Sequence, residues 1–435
     1  MPRTSLPARI TTREGIVMSV HKAAMIAALL IVACPYAQAA EFYTPPVVSV
    51  ALLDKAPEID GTVDRREWGQ AAVLSDFITL GGRACAPLPT VVYLGYTKEA
   101  LYVGAKLFDP KPQQLRREVI QRDGEVWRDD CLELFIDTSG ERQDYAHLAV
   151  NALGTKYDSY DRIVTEDFQW DAAATVQDDG WSVEIRLPFA NQVAPRPGDK
   201  WILEVGRNAA RADVLSSWGY HNKSFHEPQN FGSLIFGGRP CRVTIDDLGA
   251  MWLGQNTAFI SFRPLYKLVA AEESESPQTI KLNVRVMGRD KRGHFFGSVK
   301  QPLATTTQQV SVPYLVKQDG FGTVTFSLTD HEGIVRWRSA PYPVEIPPVS
   351  AALTEAEQKL GDALVNWAKM PDSSNKEQIR EMLEEMLMAW RSLNDRYQKR
   401  EQMNRAELEQ LLVEVQLITK QTEALKSQIS SPGAT

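Results

Sequence analysis

The segment GEVWRDDCLELFID places an aromatic ring and a carboxylate where they could act on the same ligand. In its alternating half, the apolar residues Leu132, Leu134 and Ile136 share one face, so Glu133 points to the other. Trp127 precedes this strand in a polar loop. An exposed indole beside a carboxylate suits a sugar, whose CH face lies against the ring while its hydroxyls need hydrogen-bond partners.

A second aromatic ring comes from the segment SSWGYHNKSFHEPQNFG, which carries Trp218. No helical or strand period runs through most of this segment, so it is predicted to be a long loop before the strand SLIF. Loops of this length that carry aromatic residues usually make contacts with a ligand or partner. Trp218 is therefore predicted to be a second plate for the same ligand.

The elements that position Trp127, Glu133 and Trp218 are predicted from short runs of alternating or apolar residues. Between 41 and 240 such runs follow one another without helical patterns, separated by Gly, Pro and Asp clusters, which predicts an N-terminal β-sandwich. The segment 242–348 repeats the signal with about seven strands, as in an immunoglobulin-like sandwich. The fold class is therefore predicted to be mainly β, with a helical end.

The composition changes after Pro348 to strong helix formers, and 351–430 is predicted to be a helical hairpin or coiled coil preceded by a shorter helix. Two heptad seams support this prediction. They consist of Ile379, Leu383, Met386, Trp390, Leu393 and Tyr397, followed by Leu408, Leu411, Val415, Ile418, Thr422, Leu425 and Ile429. Asn404 and Glu407 make an N-cap pattern between them. The seams could pack the hairpin on itself or bind a second copy or a protein partner.

The N-terminal 1–39 reads as a signal peptide, because an apolar run follows His21 and Lys22 and ends near the small-residue site AQA. Export to the periplasm, the cell surface or the medium is therefore expected. The alternative is a lipoprotein anchored through Cys34 in IVAC. No later segment is long and apolar enough to span a membrane. In an oxidising compartment, Cys85 and Cys241 could form a disulfide, and Cys131 is read as a buried strand residue.

The net charge of −7 at pH 7 and the lack of a Lys/Arg block argue against nucleic acid as a partner. Catalysis is not expected either. Asp130 and Glu133 are the carboxylates considered for a glycosidase pair, but alternation points them to different faces.

Five segments in order resemble the carbohydrate-binding module family 9 over roughly 41–236. They are PEIDGTVDRREWGQA, VWRDDCLELFID, DGWSVEIRLPF, WILEVGRNAAR and SSWGYHNKSFHEPQNFGSLIF. The resemblance implies a non-catalytic β-sandwich that holds a terminal sugar of a glycan between two tryptophans.

By the same resemblance, Trp127 and Trp218 are the two plates, while Glu133 and Arg207 bind sugar hydroxyls. The sequence departs from the family at Ala149, where some members have Arg, and at Ser216 and Ser217, where an amide is expected. Relatives also carry structural calcium. The aspartates considered as its oxygen ligands are Asp60, Asp129, Asp130 and Asp137, although the metal site itself cannot be assigned from sequence.

Two alternatives to sugar binding remain at this stage. The chain could be an envelope-associated scaffold that binds no sugar. It could also be a haem-binding sandwich, although 41–240 contains no Met to act as an axial ligand. His147, His221 and His226 remain in that range and are more simply read as residues that hydrogen-bond within loops.

Overall fold

The computed structural model describes residues 43–161, 163, 168–190, 193–266, 279–288, 293–302, 304 and 306–430, without the side chains of 293–298, 301–302 and 430. The predicted signal peptide at 1–39 and Cys34 lie outside the described residues.

The N-terminal part is a sandwich of two sheets, as predicted. Its strands are β1 (Val47–Leu52), β2 (Ala72–Leu74), β3 (Ile78–Thr79), β4 (Thr90–Tyr96), β5 (Ala100–Phe108), β6 (Cys131–Asp137), β7 (Ala146–Asn151), β8 (Lys156–Tyr160), β9 (Asp171–Gln177), β10 (Gly180–Pro188), β11 (Lys200–Ala209), β12 (Val214–Ser217) and β13 (Gly232–Phe236). One sheet runs β9-β10-β5-β4-β2. The other runs β8-β7-β6-β11, and both β12 and β13 pair with the remaining edge of β11. Apolar side chains from both sheets form one core cluster.

The middle part is a second β arrangement. Its strands are β14 (Cys241–Asp247), β15 (Gly254–Pro264), β16 (Thr279–Met287), β17 (Gly293–Pro302), β18 (Gln308–Val316), β19 (Gly320–Thr329), β20 (Val335–Arg338) and β21 (Tyr342–Ile346). β14-β15-β18 forms one sheet, and β17-β16-β19 with β20 and β21 forms the other. The alternating burial of β15 and β18 follows from one face packing on the core while the other meets water.

β1 connects the two β parts. It pairs in parallel with β13, and it also pairs antiparallel with β20, where Val47 lies opposite Arg338 and Val48 opposite Trp337. A second connection is polar. The Arg242 guanidinium donates to the carbonyl oxygens of Trp68 and Ala71 at 2.6 and 2.7 Å. The two sandwiches are therefore joined by shared backbone pairing as well as by side chains.

Three helices follow, namely α1 (Val349–Ala368), α2 (Ser374–Tyr397) and α3 (Arg405–Ser430). The predicted N-cap before α3 is present, because Asn404 and Glu407 exchange backbone-to-side-chain hydrogen bonds of 2.9 and 3.0 Å. The predicted shorter first helix is present, with 20 residues against 24 and 26 in the two helices that follow. Among the described residues, no helix is long and apolar enough to cross a membrane.

Both heptad seams pack within the chain. The second seam is buried throughout, and the first is buried or half-buried, in a cluster that also contains α1 and the strands of the middle part. The helices therefore share a core with the second β arrangement. Binding of a second copy or a protein partner stays a prediction.

The cysteines differ from one sequence expectation. Cys85 and Cys241 are both free thiols, so the disulfide considered between them is absent from this structure. Burial raises the pKa of the Cys241 thiol to about 12, which keeps it protonated and unreactive. Cys131 is buried, as expected for a residue of β6.

Candidate functional site

The site is built on the face of the second N-terminal sheet that points away from the sandwich core. In β6, Leu132, Leu134 and Ile136 join the core cluster, as predicted, and Glu133 lies on the opposite face. Across the sheet, Glu133 pairs with Ala149 of β7 and Gly206 of β11. Ala149 is buried and the Phe225 ring lies over Gly206, so both small neighbours make room for packing on this face.

An open cleft of about 720 Å³ lies on this side of the sheet. Its described lining comes from the strands and from two loops that cover the rest of the sheet face. The lining residues are Trp127, Glu133, His147, Tyr157, Ser159, Asn208, Leu215, Lys223, Ser224, Phe225, His226 and Glu227. The cleft is within the size range of small-ligand sites and mixes aromatic with polar groups.

Glu133 is held by a histidine on the next strand. Its Oε2 lies 2.7 Å from Nε2 of His147, and both side chains are nearly buried. The His147 ring stacks on Phe135 at a centroid distance of 4.3 Å, which fixes the imidazole plane. No described residue donates to Oε1 of Glu133, so that oxygen is available to accept a hydroxyl proton from a ligand.

Trp127 lines the same cleft as this carboxylate. It lies in a short 3₁₀ turn, Val126–Arg128, and 37% of its surface is exposed. Its ring packs against Tyr157 in a T-shaped arrangement, with a centroid distance of 4.8 Å and an angle of 81°, and Asn208 Nδ2 donates to its carbonyl oxygen at 2.7 Å. The indole is therefore anchored on both sides and still presents surface to solvent.

The loop between β12 and β13 forms another wall and is fixed from below. Glu204 accepts from the Gly219 N–H at 2.8 Å and lies 3.0 Å from Nε2 of the fully buried His221. Glu227 accepts from the backbone N–H groups of Asn222 and Lys223. The Phe225 ring from this loop lies over Gly206, where a Cβ atom would approach it to 2.7 Å.

The structure corrects the prediction for Trp218. This residue is only 2% exposed, belongs to the core cluster and does not line the cleft, so it is not a second plate opposite Trp127. The physical reason is the space above Gly232, where a Cβ atom would lie 2.3 Å from the indole. A large apolar ring gains more from filling that space than from remaining in water.

Arg207 also lies outside the cleft. It pairs with Leu132 and so points to the core side of β11, whereas Gly206 and Asn208 take the cleft side. Its fully buried guanidinium donates to the carbonyl oxygens of Pro89 and Phe108, each at 2.9 Å. The predicted contact of Arg207 with sugar hydroxyls is therefore wrong in this structure.

Buried charge around Arg207 is balanced. Burial lowers its pKa to about 10, and nearby Asp130 and Asp109 oppose that effect, so it remains a cation at neutral pH. Asp109 also pairs with Arg211 at 2.8 Å. Burial raises the pKa of Asp130, although hydrogen bonds from the Arg116 and Arg211 backbones oppose it. This cluster joins β11 to the loops of the first sheet.

The aspartates considered for calcium accept hydrogen bonds that hold loops in place. Asp129 accepts from two backbone N–H groups and from Asn151 Nδ2. Asp137 accepts from Ser139, Gly140 and Arg142. Asp129 Oδ1 and Asp130 Oδ1 are buried and have no hydrogen-bond partner among the described residues, so these two carboxylates each keep an oxygen that a calcium ion could take. No group of three or more His, Cys, Asp or Glu residues in the described ranges is arranged to hold a metal. Calcium binding stays a prediction.

Sequence reasoning missed several residues of the cleft. His147 and Asn208 lie on strands that were recognised, and alternation from Glu133 could identify them once the pairing register is known. Phe225 and His226 belong to the loop that was predicted to make contacts, but through Trp218. The loop therefore lines the cleft through Phe225 and His226, whereas Trp218 lies in the core.

Comparisons with known proteins match the N-terminal sandwich. Residues 59–239 match the family described as carbohydrate family 9 binding domain-like. No curated protein matches the chain. A carbohydrate binding module family 9 from Caldicellulosiruptor kristjanssonii in complex with cellotriose is 22% identical, over 44% of this chain and 94% of that chain, at a TM-score of 0.35.

The glucose complex of a family 9 module from the same organism gives 21% identity, coverage of 44% and 96%, and a TM-score of 0.36. A Bacteroides uniformis protein gives 14%, coverage of 44% and 100%, and 0.37. These scores are too low for the similarities to support a conclusion about the whole chain. The family match is specific to the N-terminal sandwich, and residues 59–239 therefore form a carbohydrate family 9 binding domain-like domain.

Proposed function

We propose that the cleft binds a neutral sugar ring of a glycan, stacked on the exposed side of Trp127. The observation that carries this proposal is the position of a solvent-exposed indole beside a carboxylate with one oxygen left for a ligand. The match of residues 59–239 to a carbohydrate-binding family supports it independently. The arrangement has one tryptophan plate instead of the two expected from the sequence.

The polar lining would select the sugar. Glu133 Oε1 would accept from a sugar hydroxyl, and this is the type of contact in which a charged acceptor strengthens the hydrogen bond. Lys223 and Ser224 on the loop bring further polar groups to the same cleft. A ligand with several hydroxyls on one side and an apolar face on the other would meet both kinds of lining.

Binding without hydrolysis is part of the proposal. Glu133 and Glu227 are the two carboxylates among the described lining residues, and Glu227 already accepts hydrogen bonds from Asn222, Lys223 and Asn230. Glycoside hydrolysis needs two carboxylates placed on either side of the bond that breaks. A single available carboxylate supports recognition of a sugar and offers no acid and base pair.

We also propose that the protein acts outside the cytoplasm. This proposal rests on the export signal read from the sequence at 1–39. Comparing the mass and compartment of the expressed protein with those of a form lacking residues 1–39 would test it. Lipidation of Cys34 would add a membrane-bound fraction that a Cys34→Ala variant loses.

Calorimetric titration of the whole chain with glucose, xylose, cellobiose, cellotriose and xylo-oligosaccharides tests the function. Glu133→Gln should weaken the tightest of these complexes by about tenfold or more, since a hydrogen bond to a charged group contributes ~1.5–3 kcal/mol. The matched control is Glu141→Gln, because Glu141 is exposed and lies outside the cleft. A folded chain that binds none of the sugars would contradict the proposal and favour the scaffold alternative.

A further inference from the structure

A second cleft, on the middle β part, differs in chemistry from the first. It has a volume of about 710 Å³ and opens on the outer face of β16, β19 and β20 beside the N-terminal segment that precedes β1. Its described lining contains hydroxyl, amide and cationic side chains and no Phe, Tyr or Trp. A neutral pyranose would find no aromatic plate among them.

Strand pairing brings the cations together. Lys281 lies opposite Lys300 on β17 and Thr329 on β19, and four residues further along β16 Arg285 lies opposite Thr325. Arg338 of β20 joins them from the other side of β19. All four basic residues line the cleft, in a chain whose net charge is −7. This local reversal of sign favours an anionic ligand.

The one described carboxylate in the cleft is paired with an arginine outside this cluster. Asp330 pairs with Arg336 at 2.7 Å and also accepts from the backbone N–H groups of Glu332 and Ile334. Within the described residues, no carboxylate lies within ion-pair distance of Lys281, Lys300 or Arg338.

The two arginines are held in place by the N-terminal segment. Arg338 Nη1 donates to the carbonyl oxygen of Pro45 at 3.0 Å, and Arg285 Nη1 donates to Thr44 Oγ1 at 3.4 Å. Burial, followed by repulsion from Arg285, lowers the pKa of Arg338. An anion between the two guanidinium groups would relieve that repulsion.

Hydroxyl and amide groups surround the cations. Asn283 and Ser327 face each other across β16 and β19, and Asn283 Nδ2 donates to Thr329 Oγ1 at 3.3 Å. Thr44 and Thr279 add hydroxyls at the border of the cleft. Such groups can both donate to and accept from ligand hydroxyls, which simple inorganic anions lack.

We infer that this cleft binds an acidic saccharide, with a carboxylate of a uronic acid unit held by Arg285 and Arg338 and its hydroxyls bound by the surrounding polar side chains. Guanidinium groups suit this role because their planar donor pairs match a carboxylate. This site is distinct from the Trp127 cleft and does not depend on the function proposed there.

Titration of the whole chain with trigalacturonic acid tests the inference, and its fully methyl-esterified form is the matched neutral ligand. We expect the acid to bind and the ester to bind about tenfold or more weakly, because charge-assisted hydrogen bonds are lost. The double variant Arg285→Met, Arg338→Met should bind the acid about tenfold or more weakly than the unchanged chain does. Lys420→Met, an exposed cation on α3, is the control for removing charge elsewhere.

The possible results test the identity of the ligand and the location of the site separately. Equal binding of acid and ester, unchanged binding by the folded double variant, or no binding of the acid at all would overturn the inference. Inorganic phosphate that competes as strongly as the acid would overturn the saccharide ligand. Glu133→Gln should leave acid binding unchanged. Loss of acid binding in that variant would show that the acid binds in the first cleft, and it would overturn the second site.

Discussion

Replacement of Trp127 by Ala should weaken sugar binding far more than it weakens folding. The residue is 37% exposed. For an indole side chain of roughly 250 Å², this corresponds to about 90 Å² of surface that a sugar can cover. At ~25 cal/mol per Å², covering half to all of that area contributes about 1–2 kcal/mol. The expected loss in affinity is therefore about 5- to 30-fold.

Calorimetry at 25 °C with the tightest-binding neutral oligosaccharide measures this loss, and thermal unfolding measures stability in the same samples. Trp127→Phe keeps an aromatic ring and should show a smaller loss of affinity. Some loss of stability is expected in the Ala variant because the indole packs against the Tyr157 ring. A folded Trp127→Ala protein with the wild-type dissociation constant would refute the role assigned to this ring.

The other two predictions concern stability. Arg207→Met should lower the free energy of unfolding by about 2–6 kcal/mol, measured by urea denaturation, because the buried carbonyl oxygens of Pro89 and Phe108 would lose their donors. The sugar affinity of the folded fraction should not change. A folded variant with weaker sugar binding would show that Arg207 contributes to the binding site. The pKa of Asp137 is lowered because four hydrogen bonds from Ser139, Gly140 and Arg142 outweigh burial, which raises it. The unfolded chain thus binds the proton more tightly, so this contribution to stability is present above about pH 4 and is lost as pH falls through the folded-state pKa. Asp137→Asn should lose less stability than wild type between pH 5 and pH 3 in urea titrations, and identical pH profiles would contradict this assignment.

Features with a local period could be predicted from the sequence. The alternation in β6 separates Leu134 from Glu133 because adjacent side chains of a strand point to opposite faces. The heptad seams identify the buried sides of α2 and α3 for a similar reason, and the cap at Asn404 depends on a contact three residues away. All of these depend on near neighbours in the chain.

Features that depend on distant residues could not be predicted in this way. Whether Arg207 or Asn208 faces the cleft depends on the register between β11 and β6, which a single sequence does not show. Trp218 is buried because Gly232 leaves room for its ring. The pairing of β1 with β20 joins residues almost 300 positions apart, as with Val48 and Trp337. The backbone pairing that connects the two β parts could therefore not be predicted either.

The most direct test of the central claim is ¹⁹F NMR of the whole chain labelled with fluorotryptophan, with resonances assigned from single Trp→Phe variants. Saturation with the tightest-binding neutral oligosaccharide should shift the Trp127 resonance and leave that of Trp218 in place, since only Trp127 lines the cleft. A Trp127 resonance that does not move while calorimetry shows full occupancy would contradict the proposed site.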